Sequence, residues 1–376
     1  MRQASRLFKN IGAKSLGSGE NITNIDASLT DGKQEEIPVG NNSDFDDQSL
    51  NSVNDVDEPT LTNQDNEDAS SLVLETVMEN EINYSNDLVI ATATRPDKQI
   101  NQDYHAKICN PHLNLSGVIV ADGLGSHLYS DIGSKESVDF VKRYLEHIKD
   151  IKELNITAIF KAAKENLIQF AQRDSDINFE TLDKDRSFGT TLILAFEYEL
   201  EGKKVFKIAY VGNGAIWHIR GNFNRIDSLA LPYNALNYLN PHSLMIEGRE
   251  TLYKLISISD DYYQAEPTII ELNVDSEFGD IIMICTDGIY SYDQVKMGSR
   301  DGLVWVCDEK INDFFTKLNQ FLQQNASEIT QDNTQLFLEE YLKSVEIDDD
   351  STIGIIINNK AIAFQKRLKN ANHTNQ

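Results

Sequence analysis

Aspartates stand at the ends or edges of predicted strands at several places in this sequence, in positions where carboxylates could act together. They are Asp103 after "ATATRPDKQINQ", Asp122 after "GVIVA", Asp287 after "DIIMICT", and the run Asp348–Asp350 before "STIGIIIN". Apolar runs of this length are typical of buried strands. A carboxylate at the end of a rigid strand projects into the loop layer, where catalytic groups collect.

Converging carboxylates repel one another strongly unless cations neutralise them. Oxygen ligands without cysteine suit Mg²⁺ or Mn²⁺ rather than Zn²⁺. Two such ions about 3.5–4 Å apart can activate a water molecule and clamp a phosphoryl group. Each aspartate taken singly also has a structural explanation, because Asp-Gly, as in Asp122-Gly123, is a common hairpin turn. The pattern therefore predicts a metal site only if the tertiary structure brings the carboxylates together.

Composition restricts the class of protein further. The chain has 376 residues and a formal net charge of −26, which argues against binding to a nucleic-acid backbone. No apolar run approaches the length of a membrane span, so we expect no membrane insertion. The three cysteines are far apart, which disfavours a disulfide framework and fits a reducing cytoplasm.

The chain changes in character along its length. Residues 1–80 hold sixteen acidic and five basic residues, a net charge of −11, and only two aromatic residues. Such a segment buries too little apolar surface to order itself, so we predict an acidic, disordered N-terminal region. A globular domain is expected over residues 81–363, followed by a polar C-terminal tail over residues 364–376.

Hydrophobic periodicity orders the elements of the globular part. Helical spacing covers residues 135–150, 156–172, 311–326 and 333–345. Strands are predicted before and between these pairs of helices, and "STIGIIIN" predicts a closing strand. Two helices, then many strands, then helices again indicate an α+β fold with sheets covered by helices rather than strict βαβ alternation.

Six short blocks, taken in order, resemble the signature of the metal-dependent serine/threonine protein phosphatases of the protein phosphatase 2C family. These blocks are "NQD", "DGLGSH", "SFGTTL", "YVGNGAIWHIRG", "CTDG" and "DDDST". The resemblance covers roughly residues 88–358. It implies a four-layer sandwich, in which two antiparallel β-sheets pack face to face and helices cover both outer faces.

The resemblance also implies a site and a reaction. Carried over by motif, Asp103, Asp122, Asp287 and Asp349 are metal-binding carboxylates, and the carbonyl of Gly123 is a further ligand. The three consecutive aspartates leave Asp350 as an alternative to Asp349. A hydroxide bridging two Mg²⁺ or Mn²⁺ ions attacks phosphoserine or phosphothreonine, without a phosphoenzyme.

Some positions depart from the family pattern. Asn213 stands where the family has an aspartate for a third metal ion, so that third site is in doubt. His127 is a candidate proton donor, with a structural role in its loop as the alternative. Arg95 is a candidate for gripping the phosphate because a guanidinium suits bidentate contact, although its spacing from "NQD" is long.

The function predicted first is a cytoplasmic phosphatase of phosphorylated proteins, with a cognate serine/threonine kinase as the implied counterpart. Two alternatives stay open. One is a catalytically degenerate domain that binds a phosphoprotein, which Asn213 and Ala215 favour. The other is a phosphatase of small phosphorylated molecules, for which a deep, closed pocket is expected.

Overall fold

The computed structural model describes residues 88–222, 235–247, 249–289, 295–300, 303–326 and 328–374. Internal contacts divide the chain into two units, residues 1–75 and residues 76–376, and every described residue belongs to the second unit. The predicted acidic region 1–80 lies outside the described residues and stays a prediction. None of the helices in the described ranges combines the length and the apolar composition that a membrane span requires.

Two five-stranded antiparallel sheets form the centre of the fold. In spatial order, the first sheet contains β1 (Leu88–Arg95), β14 (Ser351–Asn358), β11 (Asp280–Cys285), β6 (Ala215–Arg220) and β7 (Ala235–Asn237). The second contains β10 (Thr268–Asn273), β5 (Lys203–Val211), β4 (Leu192–Leu200), β3 (Leu115–Asp122) and β2 (Asp103–Asn110). Two separate hairpins pair β8 (Ser243–Ile246) with β9 (Arg249–Leu252), and β12 (Val295–Arg300) with β13 (Leu303–Asp308).

Five α-helices accompany the sheets in the described ranges. They are α1 (Ser130–His147), α2 (Ile156–Arg173), α3 (Glu309–Gln324), α4 (Gln331–Ser344) and α5 (Asn359–Thr374). Their starts follow capping rules where the sequence offers a cap. The Asn155 side chain accepts a hydrogen bond from the Ala158 amide at the start of α2, and Thr330 and Asn333 form a capping box at the start of α4.

Alternation along the strands divides the core into three apolar layers. Leu88 and Ile90 of β1 pack between the two sheets with Val118 of β3, whereas Val89 packs outward with residues of α3 and α4. Ile119, the neighbour of Val118, points the other way and packs with residues of α1 and α2. Helices therefore pack against the outer face of each sheet, and the predicted α+β fold with two antiparallel sheets is confirmed.

The C-terminal end differs from the prediction. A polar tail was expected from residue 364, but α5 continues to Thr374. Phe364 packs edge-on against Phe278, and the buried Gln365 side chain donates a hydrogen bond to the Gly221 carbonyl at 2.6 Å. A few buried contacts hold a helix whose exposed positions are polar, which composition alone does not indicate.

Candidate functional site

Asp103 and Asp122 are direct neighbours at one end of the second sheet. Asp103 begins β2 and Asp122 ends β3, and the antiparallel register pairs the two residues with each other. Directly opposed residues hold their Cβ atoms about 4.5–5.5 Å apart. Turn geometry does not explain the pair, because the two strands are joined at their other ends, near Asn110 and Leu115.

Asp287 reaches the same place from the first sheet. It lies just beyond the end of β11, and the hydroxyl of Thr286 donates a hydrogen bond to Oδ2 of Asp103 at 2.8 Å. The carboxyls of Asp122 and Asp287 lie close enough for interaction between them to shift the pKa of each. The ends of two different sheets thus bring three carboxyl groups together.

The three carboxyl groups are poorly compensated. Asp103 is buried, and among the described residues its Oδ1 atom has no hydrogen-bond partner. Burial raises the pKa of Asp103 to about 7. Burial, followed by the charges of Asp287 and Asp103, raises the pKa of Asp122 well above its usual value, and burial also raises the pKa of Asp287. A bound cation would relieve this repulsion.

Asp349 and Asp350, which the sequence leaves as alternatives, have different surroundings. Asp350 is buried, and its carboxylate accepts three backbone hydrogen bonds, from Asp97 at 2.7 Å, Lys98 at 3.1 Å and Gln102 at 2.8 Å. Asp349 instead forms an ion pair with Lys98 at 2.6 Å, and 45% of its side chain is exposed. Asp350 therefore shapes the loop that leads into β2, and Asp349 faces the open side.

An open pocket of about 710 Å³ lies over this cluster. Its acidic lining includes Asp122, Asp287 and Asp349, and Gly123 and Asn213 lie beside them. Three cationic side chains also line it, those of Lys98, Arg186 and Arg249. Acidic and cationic side chains therefore share one pocket that has access to solvent.

The donor set fits hard divalent cations. It consists of carboxylate and backbone oxygens, with the unpartnered Oδ1 of Asp103 among them. Within the described ranges, no three acidic, histidine or cysteine side chains surround one point as a finished ligand set. In the structure as described, Asp122 interacts with Asp287, and Asp349 pairs with Lys98. Cations would have to replace both contacts.

Gly123 sits where a side chain cannot fit. A Cβ atom at this position would lie 2.5 Å from the Ser130 carbonyl oxygen and 2.8 Å from that of Gln102. Gly123 is not among the glycines with positive φ, and it forms an isolated β-bridge with Thr190. The hairpin-turn explanation of Asp122-Gly123 is therefore wrong. Close packing, in addition to any approach to an ion, requires glycine here.

Asn213 touches the acidic cluster directly. Its side-chain amide donates to Oδ2 of Asp287 at 2.8 Å. Asn213 follows β5 in a Gly-Asn-Gly turn whose two glycines, Gly212 and Gly214, have φ of 95° and 115°. The asparagine thus acts as a neutral donor to a carboxylate, at the position where the family pattern has a further carboxylate.

His127 lies in the pocket wall but faces the protein. Its ring packs so closely on Gly189 that a Cβ there would overlap the imidazole, and it hydrogen-bonds the backbone of Ser187. Among the described residues, its buried Nδ1 atom has no partner. Burial and the charge of Arg186 lower the pKa of His127. This placement supports the structural alternative, in which His127 joins two loops, over proton donation.

Arg95 does not join the site, which corrects the expectation that it grips phosphate. Its Nη1 atom donates to the carbonyls of Leu342 and Val345, both at 2.6 Å, and so caps the C-terminal end of α4. Lys98, which lies in the same stretch "RPDKQINQD", lines the pocket in place of Arg95. The sequence analysis did not select Lys98. The available signal was its position, because Lys98 is nearer to Asp103 in the sequence than Arg95 is.

Comparison with known proteins indicates the family of this chain. The family model described as protein phosphatase 2C matches residues 91–339. Similar solved structures include a serine/threonine phosphatase of S. agalactiae, with 15% identity, coverage of 72% of this chain and 99% of that chain, and a TM-score of 0.49. A bacterial serine phosphatase has 17% identity, coverage of 72% and 96%, and a TM-score of 0.48.

A third similar structure is the serine/threonine phosphatase PstP/Ppp of Mycobacterium tuberculosis, with 13% identity, coverage of 72% and 99%, and a TM-score of 0.44. No curated protein sequence matches the chain. The family assignment rests on the family model, which spans well over half of the chain and contains Asp103, Asp122, Asn213 and Asp287. The chain belongs to the protein phosphatase 2C family, a family of serine/threonine protein phosphatases.

Proposed function

We propose that this protein hydrolyses phosphoserine and phosphothreonine in proteins with two divalent cations, Mg²⁺ or Mn²⁺, held by the acidic cluster. The observation that carries the proposal is the convergence of Asp103, Asp122 and Asp287 from two sheets, with raised pKa values and an unpartnered Asp103 oxygen. Such clustering of perturbed carboxyls is unfavourable for folding and is typical of functional sites.

The proposed ligands are Asp103, Asp122, Asp287, Asp349 and the carbonyl of Gly123. Bound cations would activate water and offset charge on the phosphoryl oxygens. The strand ends of β2, β3 and β11 hold three of the carboxylates on rigid elements. Thr190 and Thr191 fix the backbone of Asp122, because the Thr190 hydroxyl and the Thr191 amide both donate to its carbonyl, at 3.0 and 2.8 Å.

Lys98 is the proposed phosphate-binding cation. It lines the pocket, and its ammonium group lies 2.6 Å from Oδ1 of Asp349 and 2.8 Å from Oε1 of Gln102. Without bound cations, burial alone would lower the pKa of Lys98, but the hydrogen bond to Asp349 and the surrounding carboxylates outweigh burial and raise this pKa. An ammonium group is a point charge that binds phosphate without a guanidinium's bidentate geometry.

Hydrolysis by the purified full-length chain tests the proposal. We expect manganese-dependent release of phosphate from p-nitrophenyl phosphate and from a phosphothreonine peptide, and loss of both activities with chelator. Asp122→Ala should abolish both, while the circular dichroism spectrum stays that of the parent. Undiminished turnover after complete metal removal contradicts the mechanism. The natural substrates would be proteins phosphorylated by a serine/threonine kinase.

One observation favours a second candidate, a domain that binds phosphoproteins without turnover. The amide of Asn213 donates a hydrogen bond to one oxygen of Asp287, so one carboxylate of the cluster is stabilised without metal. For such a domain, metal binding would be detectable by calorimetry while neither substrate is hydrolysed at any manganese concentration. The retention of all the proposed ligands makes the enzyme the better-supported function.

A further inference from the structure

Three consecutive large aliphatic residues are exposed beside the pocket. They are Leu244, Met245 and Ile246 of β8, with 57%, 70% and 51% of their surfaces exposed. Together we call them the hairpin patch. A strand normally buries one of its two faces, but here residues on both faces are exposed, because the β8–β9 hairpin stands apart from the two main sheets. Contiguous exposed apolar residues of this kind mark interaction sites.

The register places the patch directly against the pocket wall. Leu244 pairs with Thr251, Met245 with Glu250, and Ile246 with Arg249. All three partners on β9 line the pocket over the acidic cluster. The patch therefore lies one strand spacing, about 4.8 Å, beyond residues of the wall. A chain that delivers a phosphorylated side chain to the pocket would pass over it.

The base of the hairpin is anchored close to the acidic cluster. The His242 amide donates to the Gly212 carbonyl at 3.0 Å, and the Tyr253 amide donates to the His242 carbonyl at 2.9 Å. The His242 ring stacks on Tyr210 of the second sheet, with 4.8 Å between the ring centroids. Because Gly212 precedes Asn213, the patch has a defined position relative to the pocket.

Charge favours an apolar mode of recognition. The chain carries a net charge of −26, and the phosphate group of a substrate is also anionic. Beyond the cations in the pocket, long-range electrostatics therefore oppose the encounter. Contact between apolar side chains acts at short range and does not depend on charge. The hairpin patch can supply affinity that the electrostatics of this chain do not.

We propose that the hairpin patch binds apolar residues that flank the phosphorylated residue of the substrate protein, so that this protein prefers phosphosites in aliphatic surroundings. The proposal rests on the proposed function, since it takes the pocket as the place where the phosphate binds. The occupant is the substrate chain itself, because the patch is continuous with the pocket wall through β9.

Peptide binding to the full-length protein tests the proposal without requiring turnover. Two fluorescent peptides of equal net charge carry a phosphonate in place of the phosphate, with leucine or serine at the same flanking positions. Fluorescence anisotropy with Mn²⁺ present gives both dissociation constants. We expect the leucine peptide to bind the parent protein about tenfold more tightly or better. Equal binding of the two peptides overturns the proposal.

A variant of the hairpin patch and a matched control show whether the preference for the leucine peptide depends on this patch. Leu244→Thr with Met245→Thr removes both large apolar side chains, introduces β-branched residues that suit a strand, and should abolish the preference for the leucine peptide. The control, Leu200→Thr with Ile269→Thr, changes two exposed aliphatic residues on strands of the second sheet and should keep it. The proposal is overturned if the Leu244/Met245 variant still prefers the leucine peptide. It is also overturned if the Leu200/Ile269 control loses that preference.

Hydrolysis of p-nitrophenyl phosphate separates this proposal from the proposed function. The small ester has no flanking chain, so its kcat/KM should be equal in the parent, the variant and the control. If no protein hydrolyses it while the peptide preference is present, the proposed function fails and the patch assignment stands. If sedimentation shows that the parent is a dimer and the variant a monomer, and neither prefers the leucine peptide, the patch joins copies of this chain and the proposal is wrong.

Discussion

The side-chain amide of Asn213 donates a hydrogen bond to Oδ2 of Asp287, with 2.8 Å between nitrogen and oxygen. A carboxylate at position 213 would replace this bond with repulsion. We expect Asn213→Asp to destabilise the metal-free protein by about 1–3 kcal/mol, because a buried hydrogen bond to a charged group is lost. With manganese, the added charge should instead hold a cation better and raise the rate at limiting metal.

Thermal midpoints with chelator and with Mn²⁺, together with rates over a manganese titration, measure both effects of Asn213→Asp. The control is Asn240→Asp, which adds the same charge at an exposed position. If Asn213→Asp changes neither stability nor metal dependence, the contact with Asp287 is irrelevant to the metal site. If it binds metal more tightly and still fails to turn over substrate, the non-catalytic candidate gains support.

Removing a carboxyl from the cluster should stabilise the metal-free protein. The pKa of Asp122 is raised in the folded state. The parent protein therefore has the full stability contribution of this group only below the usual aspartate pKa, and loses that contribution as the pH rises through the folded-state pKa. Asp122→Asn has no such loss. We expect its melting temperature in chelator to exceed that of the parent at about pH 8, with a difference that shrinks toward about pH 4. A constant difference contradicts the raised pKa.

Asp349 and Asp350 should respond in opposite ways to replacement by asparagine. Asp350→Asn weakens at least one of three backbone hydrogen bonds to a buried carboxylate and should cost about 2 kcal/mol of unfolding free energy in urea. Asp349→Asn should leave stability nearly unchanged, since its ion pair is partly exposed, but should raise the manganese concentration for half-maximal activity. The reverse outcome would exchange the two roles.

Lys98 and Arg95 should likewise separate in kinetics and stability. Lys98→Gln should raise KM for phosphopeptide and small ester alike by about tenfold, because a cation is removed from the phosphate pocket. Lys98→Arg should restore much of the binding. Arg95→Gln should lower stability through its lost bonds to Leu342 and Val345 and leave KM unchanged. An unchanged KM in Lys98→Gln excludes Lys98 from phosphate binding.

The sequence alone indicated an α+β fold, and its resemblance to the protein phosphatase 2C family implied the layered arrangement and the central carboxylates. Continuous apolar runs such as "GVIVA" indicate strands with two buried faces, and helical spacing of apolar residues indicates where helices lie along the chain. Asp103, Asp122 and Asp287 could be selected because each stands where an apolar run ends or a strand begins. These signals are local, so a single segment carries them.

Only the tertiary structure decided which neighbours each side chain meets. In "DDDST", three identical residues differ because the loop 97–102, far away in sequence, donates its backbone amides to Asp350 and leaves Asp349 facing the pocket. Arg95 reaches α4, so Lys98 becomes the cation in the pocket. The exposure of Leu244 and Met245 likewise depends on the hairpin standing apart from both sheets. Contacts between distant segments set these roles, and local sequence patterns carry no record of such contacts.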